Sequence, residues 1–349
     1  MRLVTLLVPL FLTATASAQE MPKVDASGSA SALLAVSHFR SLSVSSTPRR
    51  TQLLGPVFNR ISCDTEGNLY ARRFEAGAKG AEPVEKIATT GALVRSFKPD
   101  SPTLTFSISD FFVGSQSELY MLAWSREQVH SGGRVYVIQF GSDGSVKSQT
   151  QISSEDFFPT NLAVFQSGEF LITGTKGRED SAPFTAVFDP NGKMIAQVYE
   201  PEDEDLRTKA EERDPSVHDA GLYGNIAVSL GGVVRGSDGN AYLMRRTSPA
   251  LIFVISPKGQ VIRKLRIDPG DSTSLPEQMQ ASESRLAVSF VAPGGPSLLK
   301  VVDYTGKDIA TYQVSKTVLA GSLGCYNPPV VTWLNRNGAY MEIEELVDK

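Results

Sequence analysis

The chain has 349 residues, with 34 Lys and Arg against 38 Asp and Glu and a net charge of −4 at neutral pH. That balance lacks the strong basic surplus expected of a dedicated nucleic-acid binder. Two cysteines are too few for a structural zinc site.

Residues Met1 to Ala18 read as a secretory signal. Arg2 is the positive n-region, Leu3 to Leu12 the apolar h-region, and Ala16-Ser17-Ala18 an A-x-A site cut after Ala18. The apolar run is too short to span a bilayer, and no other long apolar run follows. The residue directly after the cleavage site is Gln19 and not cysteine, which argues against a lipid anchor. The mature product is expected to be exported, periplasmic or secreted, in a bacterial style. Residues 19–50 form a leader. Its first part, to about Ser29, is small and polar and is expected to be disordered. The part from Ser31 to Ser46 carries Leu33, Leu34, Val36, Phe39, Leu42 and Val44, too much apolar surface for a free tail. It is expected to dock on the folded domain as a strand.

From residue 51 a turn–strand–turn–strand pattern recurs. Asp64-Thr65-Glu66-Gly67-Asn68-Leu69-Tyr70-Ala71-Arg72-Arg73 opens one copy, and Ser237-Asp238-Gly239-Asn240-Ala241-Tyr242-Leu243-Met244-Arg245-Arg246 opens another. Gly and Asn tolerate the positive φ that such turns need, and the residues after them alternate as a strand does. Looser copies start at Ser115, Gln166 and Ser282, and a final half-unit at Asn335. A second hairpin turn follows in each, at Gly91, Gly144, Gly192, Gly259, Gly306 and Gly338. Between Pro249 and Pro257, Leu251 to Ile255 is a short apolar strand. Val261 to Ile267 breaks clean alternation, as a solvated edge strand does.

Most intervals are roughly 50 residues, the range of solenoids and propellers. A unit of that size holds four short antiparallel strands, one propeller blade. The fold is therefore read as all-β, a six-bladed β-propeller over residues 51–349. The alternatives are a β-sandwich or two stacked β domains. The ring is expected to be closed by strands from both termini. The C-terminal half-unit lacks an innermost strand, so the N-terminal segment is expected to supply it.

The copies at Asp64 and Asp238, with Phe188-Asp189-Pro190-Asn191-Gly192 as the later hairpin, resemble the NHL-type six-bladed propellers. Those repeats carry a D-x-x-G-N-h-Y-h core and an h-D-x-x-G-x-h hairpin. The resemblance covers about residues 55–349, and its usual Pro-x-Gly-h-Ala-h inner strand is poorly kept here. It implies a fold and no particular activity.

Cys63 lies in the first blade and Cys325 in the last. In an exported protein an even count favours a disulfide, and ring closure would bring the two together; two buried free thiols are the alternative. Arg72-Arg73 and Arg245-Arg246 end equivalent strands on the face that carries the inter-blade loops. Together they suggest a clamp for a carboxylate or phosphate, against plain repeat-derived surface charge. The insertion at about 200–221 is acidic first and basic later, as suits a helix. It reads as a solvated excursion, a lid, or a hard-cation site from Glu202, Asp203 and Asp205. His38, His130 and His218 sit in unrelated contexts, although His218-Asp219 near Tyr223 is suggestive. Asp64 is expected to cap its turn, Asp110 to lie near an inner-strand end, and Trp124 and Trp333 to pack between blades.

No G-x-S-x-G, H-E-x-x-H, Walker loop or dinucleotide fingerprint occurs. The sequence therefore points to a non-catalytic exported module that binds a protein, a peptide or a small anionic ligand, with no nucleic acid partner and no membrane span. The alternative is a metal-assisted hydrolase or lyase, with a divalent metal held in the central channel.

Overall fold

Two short strands precede the first complete sheet: β1 (Arg40–Val44) and β2 (Arg49–Gln52). The computed structural model describes residues 40–44, 49–52, 61–72, 83–99, 104–125, 133–153, 157–176, 182–198, 232–271, 274–292, 297–314, 322–337 and 340–348. All belong to one unit, Phe39–Lys349.

Four blades are self-contained antiparallel sheets of four strands. The first is β3 (Ile61–Cys63), β4 (Leu69–Arg72), β5 (Val84–Ile87) and β6 (Leu93–Phe97). The second is β7 (Phe106–Val113), β8 (Leu119–Ser125), β9 (Val135–Phe140) and β10 (Val146–Gln151). The third is β11 (Phe157–Val164), β12 (Phe170–Lys176), β13 (Ala182–Phe188) and β14 (Met194–Gln197). The fourth is β15 (Val233–Arg235), β16 (Ala241–Arg245), β17 (Ala250–Ile255) and β18 (Val261–Ile267). The fifth blade, β19 (Leu275–Ser282), β20 (Arg285–Val291), β21 (Leu298–Asp303) and β22 (Asp308–Val314), joins the sixth, β23 (Ser322–Asn327), β24 (Val330–Asn337) and β25 (Tyr340–Asp348), through β1. The six first strands adjoin one another in a closed cycle, β3 to β7, β11, β15, β19, β23 and back to β3. The protein is a six-bladed β-propeller.

Strand chemistry follows radial position. All six residues of β17, Ala-Leu-Ile-Phe-Val-Ile, are buried, because neighbouring blades cover both of its faces. A continuous apolar run is what such a strand requires, and each fully buried Phe or Ile contributes about 2–3 kcal/mol. In β18, at the outer edge, only Leu265 and Ile267 are buried.

The repeated turns have a physical cause. Asp64 Oδ1 accepts the N–H groups of Glu66 (3.1 Å) and Asn68 (2.9 Å), and its Oδ2 accepts the Tyr70 hydroxyl at 3.3 Å and the Lys86 ammonium at 2.9 Å. Burial alone would raise this carboxyl, but hydrogen bonds from Lys86 and Asn68 and the Lys86 charge more than offset it and hold it below the usual range. Asp238 repeats the arrangement on Asn240 N (3.1 Å) and the Tyr242 hydroxyl (2.9 Å). The Asp, Asn and Tyr of the repeat thus form one side-chain cap. At the later hairpin, Asp189 Oδ1 accepts from Asn191 N and Lys193 N, both at 2.9 Å. Gly192 sits at φ +82, and a Cβ there would collide with the Gln151 carbonyl of the preceding blade. Ser153 N donates to Gly192 O at 2.8 Å across the same seam. The turn glycine therefore serves both a left-handed backbone and a close inter-blade approach.

Strands from both termini close the ring, as expected, but the N-terminal ones do not take the innermost place. The innermost strand of the sixth blade is β23, from the C-terminal part of the chain. The N-terminal segment lies at the outer side: β1 and β2 both pair antiparallel with β25, and β1 also runs parallel to β22. Gly324 and the two prolines after Asn327 disguised β23 as loop. The last of the expected turn glycines, Gly338, lies outside the described residues.

Candidate functional site

The six inner strands surround a channel of about 860 Å³. A β-bulge interrupts four of them at the same place. The ladder skips Ser109 in β7, Thr160 in β11, Glu277 in β19 and Gly324 in β23. A bulge leaves its extra residue outside the pairing and re-aims that side chain. Ser109, Thr160 and Glu277 all line the channel, together with Ser62, Asn161 and Gln278.

Several polar side chains of the channel region are committed to joining blades. Asp110 Oδ2 accepts from Leu162 N at 2.8 Å, which ties the second blade to the third. Arg235 Nη1 donates to Val164 O at 3.1 Å, and its guanidinium lies 5.3 Å from the Phe112 ring centroid. Gln280 Nε2 donates to Gly324 O at 2.9 Å and to Ile61 O at 3.3 Å, so one buried amide of the fifth blade holds the sixth and the first. Cys63 and Cys325 form a disulfide beside it, with Cα atoms 5.7 Å apart.

Other groups have no such role. Glu277 Oε2 is buried without a hydrogen-bond partner. Burial pushes the Glu277 carboxyl above its ordinary range, and the Arg246 charge opposes that only in part. Arg246 donates from Nε to Pro276 O at 2.8 Å. Among the described residues, no hydrogen bond uses its Nη atoms, the side-chain amides of Asn161 and Gln278, or the hydroxyls of Ser62 and Ser109.

The three described arginines of the expected clamp take separate places. Arg73 lies outside the described residues. Arg72 Nη1 donates to the Ile108 carbonyl and, at 3.4 Å, to that of Ser109. Arg245 is buried, with its guanidinium 5.2 Å from the centroid of the Phe253 ring. Of the three described, only Arg246 lines the channel. Counted from the shared Asn and Tyr, Arg72 aligns with Met244 and Arg73 with Arg245, so the two Arg-Arg pairs are out of step by one residue. A shift of one residue along a strand reverses the face. The equivalence that survives is between Arg72 and Arg246. Each holds the carbonyl just before a bulge, Ile108 or Pro276, in the next blade.

His38, His130, His218, Asp219, Tyr223 and the acids Glu202, Asp203 and Asp205 lie outside the described residues, as do the signal segment and Ala18. Among the described residues no three His, Cys, Asp or Glu side chains come together as a metal-holding group. None of their helices is long and apolar enough to cross a membrane. Trp333 is fully buried against Val331 and Leu346, and Trp124 is half-buried in β8. Glu277 was not singled out in the sequence. The adjacency of Pro276 and Glu277 to a strand start was its only local signal.

No protein-family model matches this chain, and no curated protein matches it. Solved β-propellers resemble it in fold. A protein of unknown function from Bacteroides caccae is 10% identical over 75% of this chain and 83% of its own, with a TM-score of 0.47. A catalytically inactive virginiamycin B lyase from Staphylococcus aureus, solved with quinupristin, is 10% identical over 86% of this chain and 99% of its own, with a TM-score of 0.43. YCF48 bound to D1 peptide is 8% identical over 87% and 97%, with a TM-score of 0.45. At these identities the likeness concerns the fold, and a fold of this kind does not determine activity.

Proposed function

We propose that this protein is an exported binding module that holds a small polar ligand in the central channel of its propeller. One observation carries the reading. Around the channel, the groups that join blades are satisfied by protein, whereas Glu277, Asn161, Gln278 and the Nη atoms of Arg246 are not. Of these, the buried Glu277 Oε2 costs stability while unpaired, and the others line the channel with their hydrogen-bonding capacity free for a ligand. Lined by polar side chains from several strands, the channel has the convergent character of a ligand site.

Export is supported by the signal pattern ending at Ala18, and a disulfide between Cys63 and Cys325 suits an oxidising compartment. The test is native mass spectrometry of protein recovered from an exporting bacterial host and incubated with the low-mass fraction of a cell extract. The expected result is a mature chain starting at Gln19 and a bound mass of small-molecule size, lost in the channel-filling variant Asn161→Trp. A stoichiometric divalent metal with substrate turnover, or a bound mass unaffected by Asn161→Trp, refutes the reading.

A further inference from the structure

We infer that the channel ligand is a small zwitterion, an α-amino acid or a molecule of the same charge pattern, with its ammonium against Glu277 and its carboxylate against Arg246. The inference rests on the channel being a ligand site, and it names what that site selects.

The two charges are placed by backbone. Glu277 is the bulged residue of β19, skipped between the pairs Pro276↔Phe290 and Gln278↔Ser289. Arg246 follows β16 and is anchored by its Nε on the carbonyl of Pro276, the residue next to Glu277. The guanidinium and the carboxylate are therefore held beside one another on adjacent blades, yet they do not form an ion pair: no salt bridge joins them. Glu277 lines the channel, and the Oε2 on its buried side lacks a donor among the described residues. Arg246 spends one N–H on the backbone and keeps four on Nη for another acceptor. A fixed pair of opposite charges, each short of a partner, is the complement of a molecule that carries both.

Simpler ligands fit less well. An anion without an ammonium meets the carboxylate of Glu277. A cation without a carboxylate meets the guanidinium of Arg246. A neutral polyol can use Asn161, Gln278, Ser62 and Ser109 but neutralises neither charge. Like-charge contact in a half-desolvated site costs several-fold more than in water. The carboxylate matches the planar fork of Arg246, and the neutral amides of Asn161 and Gln278 remain for whatever the zwitterion carries beyond its charged end. A channel of about 860 Å³ has room for that part.

The test is calorimetric titration of the purified mature protein with individual L-amino acids at millimolar concentration. For any that binds, the N-acetyl derivative, the carboxamide derivative and a neutral sugar follow. The expected result is saturable binding of at least one amino acid, weakened about 30-fold or more when either charge of the ligand is removed. E277Q weakens the parent amino acid by a similar factor and leaves the carboxamide-to-parent ratio unchanged. Because the derivatives probe each charge on the intact protein, failure of a variant to fold does not obscure the answer. Binding of the N-acetyl and carboxamide forms as tightly as the parent overturns the zwitterion. Binding of the sugar alone overturns the zwitterion and keeps the channel as a ligand site. If no amino acid and no sugar binds, while Asn161→Trp also leaves extract binding unchanged, both readings fall.

Discussion

Removing the bridge between Cys63 and Cys325 tests how the ring is closed. The two residues are 262 apart in sequence, so the covalent loop takes in nearly the whole propeller. In the chain-entropy model a loop of that length restricts the unfolded chain by about 5.5 kcal/mol at 25 °C. The unit Phe39–Lys349 carries an unfolding entropy of about 0.65 kcal/mol/K, so the same loss lowers Tm by about 8 °C. Alanine is the right replacement, because Cys325 is buried and a serine hydroxyl there would add its own penalty. The double variant Cys63→Ala, Cys325→Ala and the reduced wild type should lose the same stability in urea. Both should show a steeper denaturant dependence, since their unfolded chains are more expanded. The native circular dichroism should not change, because β1 and β2 on β25, and Gln280 on Gly324 and Ile61, still close the ring. A midpoint shift worth less than about 1 kcal/mol refutes the reasoning.

Gly192→Ala and Gly239→Ala separate two costs. Both residues have φ near +82, but only Gly192 abuts the backbone of another blade. Gly239→Ala should lose about 1–2 kcal/mol and Gly192→Ala clearly more, measured by urea unfolding; equal losses would deny the inter-blade contact. Gln280→Leu leaves two buried carbonyls without a donor and should cost about 2–5 kcal/mol, against little for Gln278→Leu, whose amide makes no internal bond. Glu277 has its pKa raised above the ordinary 4.5 in the folded state. The native protein therefore holds a proton that the unfolded chain releases, and stability falls as pH rises from about 4.5 through the folded value. The stability of E277Q relative to wild type should rise over that window. Parallel pH profiles would show that Glu277 is not desolvated.

The fold was legible because its turns are local chemistry. Gly91, Gly144, Gly192, Gly259 and Gly306 all have φ between +76 and +88, and Asp189, Ser256 and Asp303 open the last three of these hairpins. Asp64 and Asp238 find their Asn and Tyr partners within six residues. The same locality explains what stayed hidden. The arginine pairs look alike as letters, but strand register decides which side chain faces the next blade, and register is set by pairing. The sixth blade was misread because β23 carries Gly324 at its bulge, where a side chain would meet Leu334. A glycine inside so short a run weakens its strand signature.

The channel was the least legible part, because a bulge exists only as a mismatch between two strands. Ser109, Thr160, Glu277 and Gly324 share one backbone role in four blades without sharing one residue type. Whatever the fold needs at this position, it does not need a charge, since a hydroxyl or no side chain at all serves three of the four. Thr160 satisfies its hydroxyl on Thr173 O at 3.1 Å. Glu277 finds no donor for its buried oxygen, although a guanidinium is fixed on the preceding carbonyl. The repeated positions of a propeller report on its assembly. A position where repetition holds for the backbone and fails for the side chain, at a measurable cost in stability, is where binding chemistry should be sought. Glu277 is that position in this chain.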